Sequence, residues 1–356
     1  MVNSSFGHGG DINRYSQESG LRPSEILDFS ASINPLGPPH WFKNVIEETL
    51  PELSRYPDPF CSVFIRAAGE ALEVPESQVV PGNGATELLR AIPMAIAAKR
   101  GVVPVPAYTD YERALSLARL HVEMVPCDMG NGFSLNVDVL RKVIKPGDMV
   151  YIGRPNNPTG HAPDGDIIRE VAMECPEAVF VVDESFGGFV DGFDTLINRR
   201  PDNVIVVVSL TKLFAVPGLR IGYLVAGEAM AKKIRDYVPP WSVNSLAQAV
   251  GAKAMKDFDY MERSRKFVRE NREKLAGALS RIRSLYIYPA AANFLLGRVE
   301  KEGVNATGLY AKLLRRGIAI RVCGDFKRLD DRHFRVAVRD EAENRRLVAD
   351  LGEALR

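Results

Sequence analysis

Short apolar segments alternate with helix-length amphipathic segments between about residues 79 and 225, and this alternation limits the folds open to the chain. The apolar segments span 101–105, 122–125, 149–152, 179–182, 204–209 and 221–225, and helices are expected among them at 87–97, 110–120 and 166–174. Several apolar segments lack polar alternation, as strands buried on both faces do. The pattern predicts an α/β domain with a mostly parallel sheet, in which ligands bind beyond the carboxyl ends of the strands.

A different pattern begins near residue 255 and indicates a second, smaller α+β unit. It comprises a long charged helix at 260–282, short strands at 285–288, 294–298, 319–322 and 334–338, a helix at 307–316 and a C-terminal helix. The first 45 or so residues are rich in Gly, Pro, Ser and Asn and have little periodicity, which favours loops. We expect this N-terminal segment to lie against the other two units.

Composition argues against several classes of partner. The 356 residues include 46 Lys and Arg against 45 Asp and Glu, so no charge excess attracts nucleic acid or an anionic membrane. Cys61, Cys127, Cys175 and Cys323 lie far apart, without the spacing of a zinc site or a disulfide framework. The sequence shows no signal-peptide core and no apolar stretch long enough to cross a bilayer. We therefore expect a cytoplasmic protein without metal, nucleic-acid or membrane partners.

Polar residues follow the ends of the predicted strands. Gly84, Ala85 and Thr86 lie in a glycine-rich turn before a helix, where backbone N–H groups can bind phosphate, although the same sequence also suits an ordinary turn. Tyr108 follows the next strand and can either stack on a ring or pack in the core. Asp183 ends a very apolar strand, where its carboxylate needs a cation, hydrogen bonds or a helix N-terminus as partner.

The most specific pattern is Ser209-Leu210-Thr211-Lys212, directly after a run of valines, with Arg220 eight residues beyond the lysine. A lysine at the end of a buried strand loses its charge readily, which is what a Schiff-base lysine requires. Together the strand-end residues suggest a phosphorylated pyridine aldehyde as cofactor. Its aldehyde would bind Lys212, its ring nitrogen Asp183 and its ring face Tyr108. Its phosphate would contact a set of small and basic residues, namely Ala85, Thr86, Ser209, Thr211 and Arg220.

The order of these motifs resembles the fold-type-I pyridoxal-phosphate enzymes of the class I/II aminotransferase superfamily over essentially the whole chain. The motifs are Gly-Asn-Gly at 82–84, Pro-x-Tyr at 106–108, Asn-Asn-Pro-Thr-Gly at 156–160, Asp-Glu-Ser-Phe at 183–186 and Ser-Leu-Thr-Lys-x7-Arg at 209–220. The resemblance implies pyridoxal 5′-phosphate as the cofactor, with Asn157 on its ring 3′-oxygen. It also implies a catalytic set of Lys212, Asp183 and Tyr108, in which Lys212 moves protons to and from the substrate Cα.

The same resemblance implies a homodimer whose two active sites lie at the subunit interface. Tyr56 would reach the cofactor phosphate of the neighbouring subunit. It further implies a large cofactor-binding domain over residues 45–250 and a small domain built from both chain ends, residues 1–44 and 251–356.

Two groups that act on phosphorylated substrates are most similar within the superfamily, the threonine-phosphate decarboxylases and the histidinol-phosphate aminotransferases. The run from Gly7 to Ile12 and the segment 27–38 resemble the decarboxylases, which makes His8 and Ser32 candidates for substrate binding. Residue 32 is usually Asn in that pattern, and Ser has a shorter reach and one donor fewer. By spacing alone, His8 also suits an ordinary polar loop.

Arg321 and Arg335 stand in otherwise apolar strands, where they need anionic partners unless they face water. The resemblance assigns Arg335 to the substrate carboxylate and Arg321 to its distal phosphate, and makes Asn157 a further substrate contact. Phe186 occupies a position where transaminases of this type usually carry a tyrosine that binds the cofactor 3′-oxygen. Phe186 has no hydroxyl for this hydrogen bond, which favours a decarboxylase.

We therefore expect decarboxylation of L-threonine O-3-phosphate to (R)-1-aminopropan-2-yl phosphate in cobalamin biosynthesis. The alternative is transamination of L-histidinol phosphate with 2-oxoglutarate, because the sequence does not fix which bond at Cα lies perpendicular to the cofactor ring. A non-catalytic binding protein on the same fold is a third hypothesis, which the intact Lys212, Asp183 and Arg220 disfavour.

Overall fold

Helices and strands follow one another throughout residues 8–356, the part of the chain that the computed structural model describes. The strands are β1 (Leu27–Asp28), β2 (Val79–Gly82), β3 (Arg100–Val105), β4 (His121–Pro126), β5 (Asp148–Gly153), β6 (Val179–Asp183), β7 (Val204–Ser209), β8 (Gly222–Val225), β9 (Leu285–Ile287), β10 (Phe294–Val299), β11 (Ile318–Ala319), β12 (Arg321–Val322) and β13 (His333–Ala337). The helices are α1 (Ile12–Ser19), α2 (Phe42–Thr49), α3 (Ser62–Leu72), α4 (Ala85–Ala95), α5 (Thr109–Leu117), α6 (Val137–Val143), α7 (Gly165–Glu174), α8 (Leu210–Leu213), α9 (Glu228–Tyr237), α10 (Ser245–Ala254), α11 (Phe258–Leu279), α12 (Ala306–Leu314) and α13 (Glu341–Ala354). Within these residues, no helix combines the length and the apolar character needed to cross a membrane.

The central sheet has the strand order β2-β8-β7-β6-β5-β3-β4. Strands β3, β4, β5, β6 and β7 pair in parallel, whereas β8 runs antiparallel to both β7 and β2. The chain returns through α5 between β3 and β4 and through α7 between β5 and β6, but only a short segment containing Lys212 joins β7 to β8. The prediction of an α/β fold with a mostly parallel sheet is confirmed.

Both faces of the central sheet are buried. Val182 and Val206 belong to the apolar core on one face, while their chain neighbours Val181 and Val207 belong to the core on the other. Because successive side chains of a strand point to opposite faces, burial on both sides requires an uninterrupted apolar sequence. Polar side chains are therefore displaced to the strand ends, where β5, β6 and β7 finish at the same edge.

A smaller antiparallel sheet of order β12-β13-β10-β9 forms the second unit. Its core contains Leu275 of α11, Leu309 of α12 and Leu347 of α13. Phe29 joins this core from near the N-terminus, and β1 pairs in parallel with β11. Both parts of the chain thus contribute to this unit, as in the predicted small domain. Residues 1–7 of that domain lie outside the described residues, and its boundaries stay a prediction.

The N-terminal segment is more regular than its composition predicted: the expectation of loops holds for residues 29–41 but was wrong for the stretches that form helices and a strand. It contains α1 and β1, and α2 crosses residue 45 and packs on α10. Asp11 caps α1 by accepting a hydrogen bond from Arg14 N (3.1 Å), and Gly20 ends the helix in the left-handed conformation with φ of 75°. These two cap residues are sequence signals for a helix, which the weak hydrophobic periodicity of the segment did not indicate.

The strand predicted at 319–322 is two strands in different sheets. β11 pairs with β1, whereas β12 pairs with β13, and the buried Ile320 lies between them. The apolar sequence continues across this change of partner, so nothing in the pattern marks it. The change places Arg321 beside β13 rather than beside β1.

A buried ion pair holds the segment that follows β6. Arg154 donates from Nη1 to Glu184 Oε1 (2.9 Å), and both side chains are buried. Thr195 Oγ1 and Leu196 N also donate to this carboxylate, at 2.5 and 3.0 Å. Burial raises the pKa of Glu184, and these donors oppose the rise. The network fixes the backbone next to Asp183, the last residue of β6.

Replacing Glu184 by Ala should lower the free energy of unfolding by about 3–5 kcal/mol, because the Arg154 guanidinium stays buried without its partner. Urea denaturation followed by circular dichroism measures the change. Glu70→Ala is the matched control, since Glu70 pairs with Lys256 at an exposed position and should leave stability unchanged. Equal effects of the two substitutions would show that the buried pair has no special structural role.

Candidate active site

The carboxyl ends of β5, β6 and β7 and the start of α4 surround a cavity with an empty volume of about 410 Å³. Its lining comprises the predicted residues Ala85, Thr86, Tyr108, Asn157, Asp183 and Lys212, together with Leu89, Tyr111, Pro155, Ser185 and Phe186. Residues that are far apart in the sequence are thus brought to one edge of the sheet, as expected for an α/β fold. We call this space the cofactor cavity.

The N-terminus of α4 forms one end of the cofactor cavity. The helix begins at Ala85, after Gly84, whose φ of 78° lies in the left-handed region. A Cβ on Gly84 would lie 2.5 Å from Arg220 Nη2, so glycine is what allows the guanidinium to lie against the helix start. The first N–H groups of a helix have no partner within it, and the helix dipole adds positive charge there. This end of the cavity therefore favours a phosphate.

Two buried hydroxyls lie close to the same helix start. Ser209 Oγ and Thr211 Oγ1 are hydrogen-bonded to each other at 2.8 Å. Gly222 is the strand partner of Ser209, and a Cβ on Gly222 would lie 2.7 Å from Ala85 N. The start of β8, beside the end of β7, is therefore packed against the first turn of α4. Neither hydroxyl belongs to the lining of the cofactor cavity, so their predicted contact with the phosphate stays a prediction.

Asp183 is fixed by two hydrogen bonds. The Tyr111 hydroxyl donates to Oδ2 (2.8 Å), and the Ser185 backbone N–H donates to Oδ1 (2.9 Å). Such bonds orient a buried carboxylate and offset part of the cost of its desolvation. The sequence analysis did not identify Tyr111. The available signal was its position three residues after Tyr108, which places it in the first turn of α5.

Lys212 lies in the same cavity, next to the Phe186 ring at 5.3 Å from Nζ to the centroid. Burial lowers the pKa of Lys212 to about 8; Arg220 and Arg335 act in the same direction, and Asp183 acts against them. Nζ forms no hydrogen bond with any residue between 8 and 356. An amine with this pKa is partly neutral near physiological pH and can attack an aldehyde.

Aromatic rings form the other walls of the cofactor cavity. Tyr108 packs edge to face on Tyr111, with 5.5 Å between centroids, and Phe186 packs edge to face on Phe294, with 5.0 Å. Burial raises the pKa of Tyr108, so its phenol stays neutral and remains able to donate a hydrogen bond. Phe186 is buried and contributes only its ring.

A second cavity, with an empty volume of about 650 Å³, adjoins the cofactor cavity. The two share Tyr108, Asn157, Phe186 and Lys212. The remaining lining contains the predicted substrate-binding residues His8, Ser32, Arg321 and Arg335. We call this space the substrate cavity; it connects Lys212 to both arginines.

Arg335 is a buried cation whose partners are neutral. Nη1 donates to Asn157 Oδ1 (2.5 Å) and Nη2 donates to Ser30 O (2.8 Å). Among residues 8–356, Nε has no acceptor and no carboxylate pairs with the guanidinium. Burial lowers the pKa of Arg335 to about 10, which leaves it charged at neutral pH. A buried charge of this kind is stabilised by an anion.

Arg321 lies directly across the sheet from Arg335, its register partner between β12 and β13. Its Nη2 donates to Asp325 Oδ2 (2.6 Å), and its guanidinium lies 5.1 Å from the Phe326 ring centroid. Ser32 is buried nearby, and its Oγ has no hydrogen-bond partner in the described part of the chain. The substrate cavity thus presents two guanidinium groups and one unpaired hydroxyl to a ligand.

His8 is attached to α5 through a carboxylate that sequence reasoning missed. Nε2 of His8 lies 3.2 Å from Asp110 Oδ2, and Arg90 Nη2 lies 2.8 Å from Oδ1. Burial acts to raise the pKa of Asp110, but contacts with His8, Arg90 and Tyr108 outweigh it and hold the pKa well below its usual range. An acidic residue in the first turn of a helix is common, so no signal distinguished Asp110.

Tyr56 lies in neither cavity of its own chain. Its side chain is 80% exposed, and its ring packs on Trp241 with 4.9 Å between centroids. The predicted contact with the neighbouring subunit's cofactor does not require a position in its own site, and it stays a prediction.

The cofactor cavity fits pyridoxal 5′-phosphate group by group. The α4 N-terminus and Arg220 suit its phosphate, Asp183 suits a protonated ring nitrogen, and the amine of Lys212 suits its aldehyde. Asn157 accepts from Arg335 through Oδ1, which leaves its amide N–H groups to donate to the ring oxygen. Fold and site together define a fold-type-I pyridoxal-phosphate enzyme.

Residues 24–351 match the model of the aminotransferase class I and II family, and the chain belongs to that family. It is 34% identical to the threonine-phosphate decarboxylase of Salmonella typhimurium over 353 residues, which cover 98% of this chain and 96% of that protein. It is 35% identical over 346 residues to the adenosylcobalamin biosynthesis bifunctional protein CobDQ of Leptospira interrogans. That match covers 96% of this chain but only 40% of the longer relative.

A solved structure gives the same result for the fold. The histidinol-phosphate aminotransferase of Clostridium acetobutylicum superposes with a TM-score of 0.86 at 28% identity, over 92% of this chain and 98% of that one. The chain is therefore a pyridoxal-phosphate-dependent enzyme of the aminotransferase type, and the predicted family and cofactor are confirmed.

Replacing Lys212 by Ala should abolish the visible absorbance that arises when the cofactor is covalently attached to the protein, because Lys212 supplies the amine in the lining of the cofactor cavity. Absorbance spectra of the purified variant measure this. Lys256→Ala, at an exposed lysine paired with Glu70, is the control and should keep the normal spectrum. An unchanged spectrum for Lys212→Ala would mean that another lysine carries the cofactor.

The rate of cofactor attachment to the apoprotein should rise with pH and level off above about pH 8. The neutral amine is the attacking form, and the pKa of Lys212 is lowered to about 8 from the ordinary value of 10.5, so its neutral form predominates above pH 8. Stopped-flow absorbance measures the rate after mixing with pyridoxal phosphate. A rate that keeps rising towards pH 10, as for a free lysine side chain, would contradict the lowered pKa.

Proposed function

We propose that this chain decarboxylates L-threonine O-3-phosphate to (R)-1-aminopropan-2-yl phosphate, in the cytoplasm and as a step of cobalamin biosynthesis. The observation that carries the proposal is the presence of Arg321 and Arg335 in a cavity that continues to Lys212. A substrate with one carboxylate and one phosphate supplies an anion to each arginine. The names of the Salmonella and Leptospira relatives support this reaction and this biosynthetic role.

Each residue of the site has a defined task in this proposal. Bound pyridoxal phosphate supplies a conjugated ring that accepts the electron pair left at the substrate Cα. Asp183, oriented by Tyr111, provides the negative charge that keeps the ring nitrogen protonated. Arg335 binds the substrate carboxylate and Arg321 binds the phosphate, which fixes both ends of the substrate. Lys212 gives a proton to Cα after CO2 leaves, a role suited to a group with a pKa near 8.

Phe186 supports decarboxylation over transamination. Its ring packs on Phe294 and offers no hydroxyl to the cofactor, whereas transaminases of this type usually place a tyrosine there. Asn157 is then the residue that donates to the ring 3′-oxygen. Transamination of histidinol phosphate is the second candidate, favoured by the similarity to the Clostridium aminotransferase.

We also propose that the enzyme acts as a homodimer. An open cavity with an empty volume of about 990 Å³ lies beside the phosphate end, lined in part by Thr86 and Arg220. The side chain of Tyr56 is 80% exposed, so the partner's Tyr56 is available to enter this cavity and reach the phosphate. Sedimentation equilibrium tests the proposal, and a purely monomeric, active holoenzyme would contradict it.

Purified holoenzyme mixed with threonine phosphate should release CO2, and with histidinol phosphate and 2-oxoglutarate it should form no glutamate. The two products are measured by a coupled CO2 assay and by amino-acid chromatography. Glutamate formation without CO2 would overturn the decarboxylase proposal in favour of the aminotransferase. A protein that keeps the absorbance of the bound cofactor but shows neither activity would require a different substrate.

Arg335→Lys should lower kcat/KM for threonine phosphate by about 100-fold, which corresponds to the ~3 kcal/mol that a charge-assisted hydrogen-bond pair can supply. The matched control is Arg345→Lys, at an arginine paired with Glu341 on the exposed face of α13. The control should retain full activity. Equal activities of the two variants would show that Arg335 does not bind the substrate.

A further inference from the structure

A cavity with an empty volume of about 850 Å³ lies next to the cofactor cavity and shares Ser185 with its lining. We call it the side cavity. Its walls come from the end of α3, from the segments that follow β6 and β7, from β8 and from α11. It is separate from the substrate cavity, which is lined by His8, Ser32, Arg321 and Arg335.

Most of the side cavity is lined by apolar side chains. Examples from its different walls are Leu72, Phe193, Ile197, Leu213, Met255 and Met261. Such a lining favours a ligand with an apolar body, because the contact removes apolar surface of both partners from water.

Three of the residues that line the side cavity carry a hydrogen-bond donor without an acceptor among the described residues. Ser185 Oγ and Arg265 Nε are buried atoms with no hydrogen-bond partner in the part of the chain that the structure describes. The hydroxyl of Tyr223, a residue only 4% exposed, likewise bonds to no described residue. Buried donors are normally paired, so their shared location in one cavity indicates a ligand that brings acceptors.

Arg265 determines the charge of that ligand. One of its terminal nitrogens, Nη1, donates to Glu262, which is largely exposed, while Nε stays unpaired at the cavity. A guanidinium binds carboxylates with particular strength, because both its charge and its planar set of donors match them. Glu184, the acidic residue in the lining, accepts hydrogen bonds from Arg154, Thr195 and Leu196, and Arg154 pairs with its charge.

We propose that the side cavity is a binding site for a small apolar molecule that carries a carboxylate. The carboxylate accepts from Arg265, and further acceptors on the ligand pair with Tyr223 and Ser185. The Ser185 backbone N–H also donates to Asp183 in the cofactor cavity, so the ligand contacts the segment that holds this carboxylate. The site does not depend on which reaction the enzyme catalyses.

Isothermal titration of the holoenzyme with 1-naphthoate tests the proposal, with the uncharged 1-naphthalenemethanol as the matched ligand. We expect one naphthoate site per chain and at least tenfold weaker binding of the alcohol.

Tyr223→Phe, which keeps the ring, should weaken naphthoate binding about fivefold, and Ala71→Trp, which fills the cavity, should abolish it. Arg265→Gln should weaken binding about tenfold. Arg269→Gln, at an arginine one turn further along α11 that pairs with Asp191, should not weaken it.

The outcomes separate the side cavity from the substrate cavity. If naphthoate binding survives Tyr223→Phe and Arg265→Gln but is lost in Arg335→Lys, the carboxylate belongs in the substrate cavity and the proposal is overturned. Equal binding of the acid and the alcohol, or no binding of the acid at millimolar concentration, overturns the carboxylate assignment. Tyr223→Phe removes one oxygen atom, so its result stands even if Ala71→Trp fails to fold.

Discussion

Buried positive charge governs the properties of this active site. Lys212 and Arg335 face adjoining cavities, and burial lowers the pKa of the first to about 8 and that of the second to about 10. The protein pairs Arg335 with an amide and a backbone carbonyl rather than with a carboxylate. The unfavourable free energy of these desolvated cations is offset when an anionic ligand enters. Buried cations without a carboxylate partner among the described residues therefore make this site favourable for an anionic ligand.

Asp183, whose charge acts on the buried amine of Lys212, is held in a fixed orientation. Asp183 accepts from Tyr111 and from the Ser185 backbone, and the neighbouring Glu184 is tied to Arg154. These contacts fix both the direction of the carboxylate and the backbone that carries it. In the proposed reaction this carboxylate keeps the ring nitrogen protonated, and a fixed position suits that role because the interaction of two charges weakens as they separate.

Residues at strand ends could be predicted from the sequence because of burial on both faces of the central sheet. An uninterrupted apolar strand leaves polar residues such as Asp183 and Lys212 only at its end, where they stand out. Tyr111 and Asp110 could not be recognised in this way, because they lie in a helix whose first turn accepts aromatic and acidic residues for ordinary reasons. The division of 319–322 into two strands was hidden as well, since Ile320 is as apolar as its neighbours. The side cavity could not be predicted from the sequence, because its apolar lining residues are of the same types as those of a hydrophobic core.

The hydrogen bond from Arg335 to Ser30 joins residues 305 positions apart. During synthesis from the N-terminus, the residues of the cofactor cavity up to Arg220 emerge long before Arg335 does. Phe29 and β1 find their partners, β11 and the core around it, only when the last part of the chain has been made. The segment around Phe29 and β1 is thus synthesised long before the residues that cover it, and until then it is open to proteases and to aggregation.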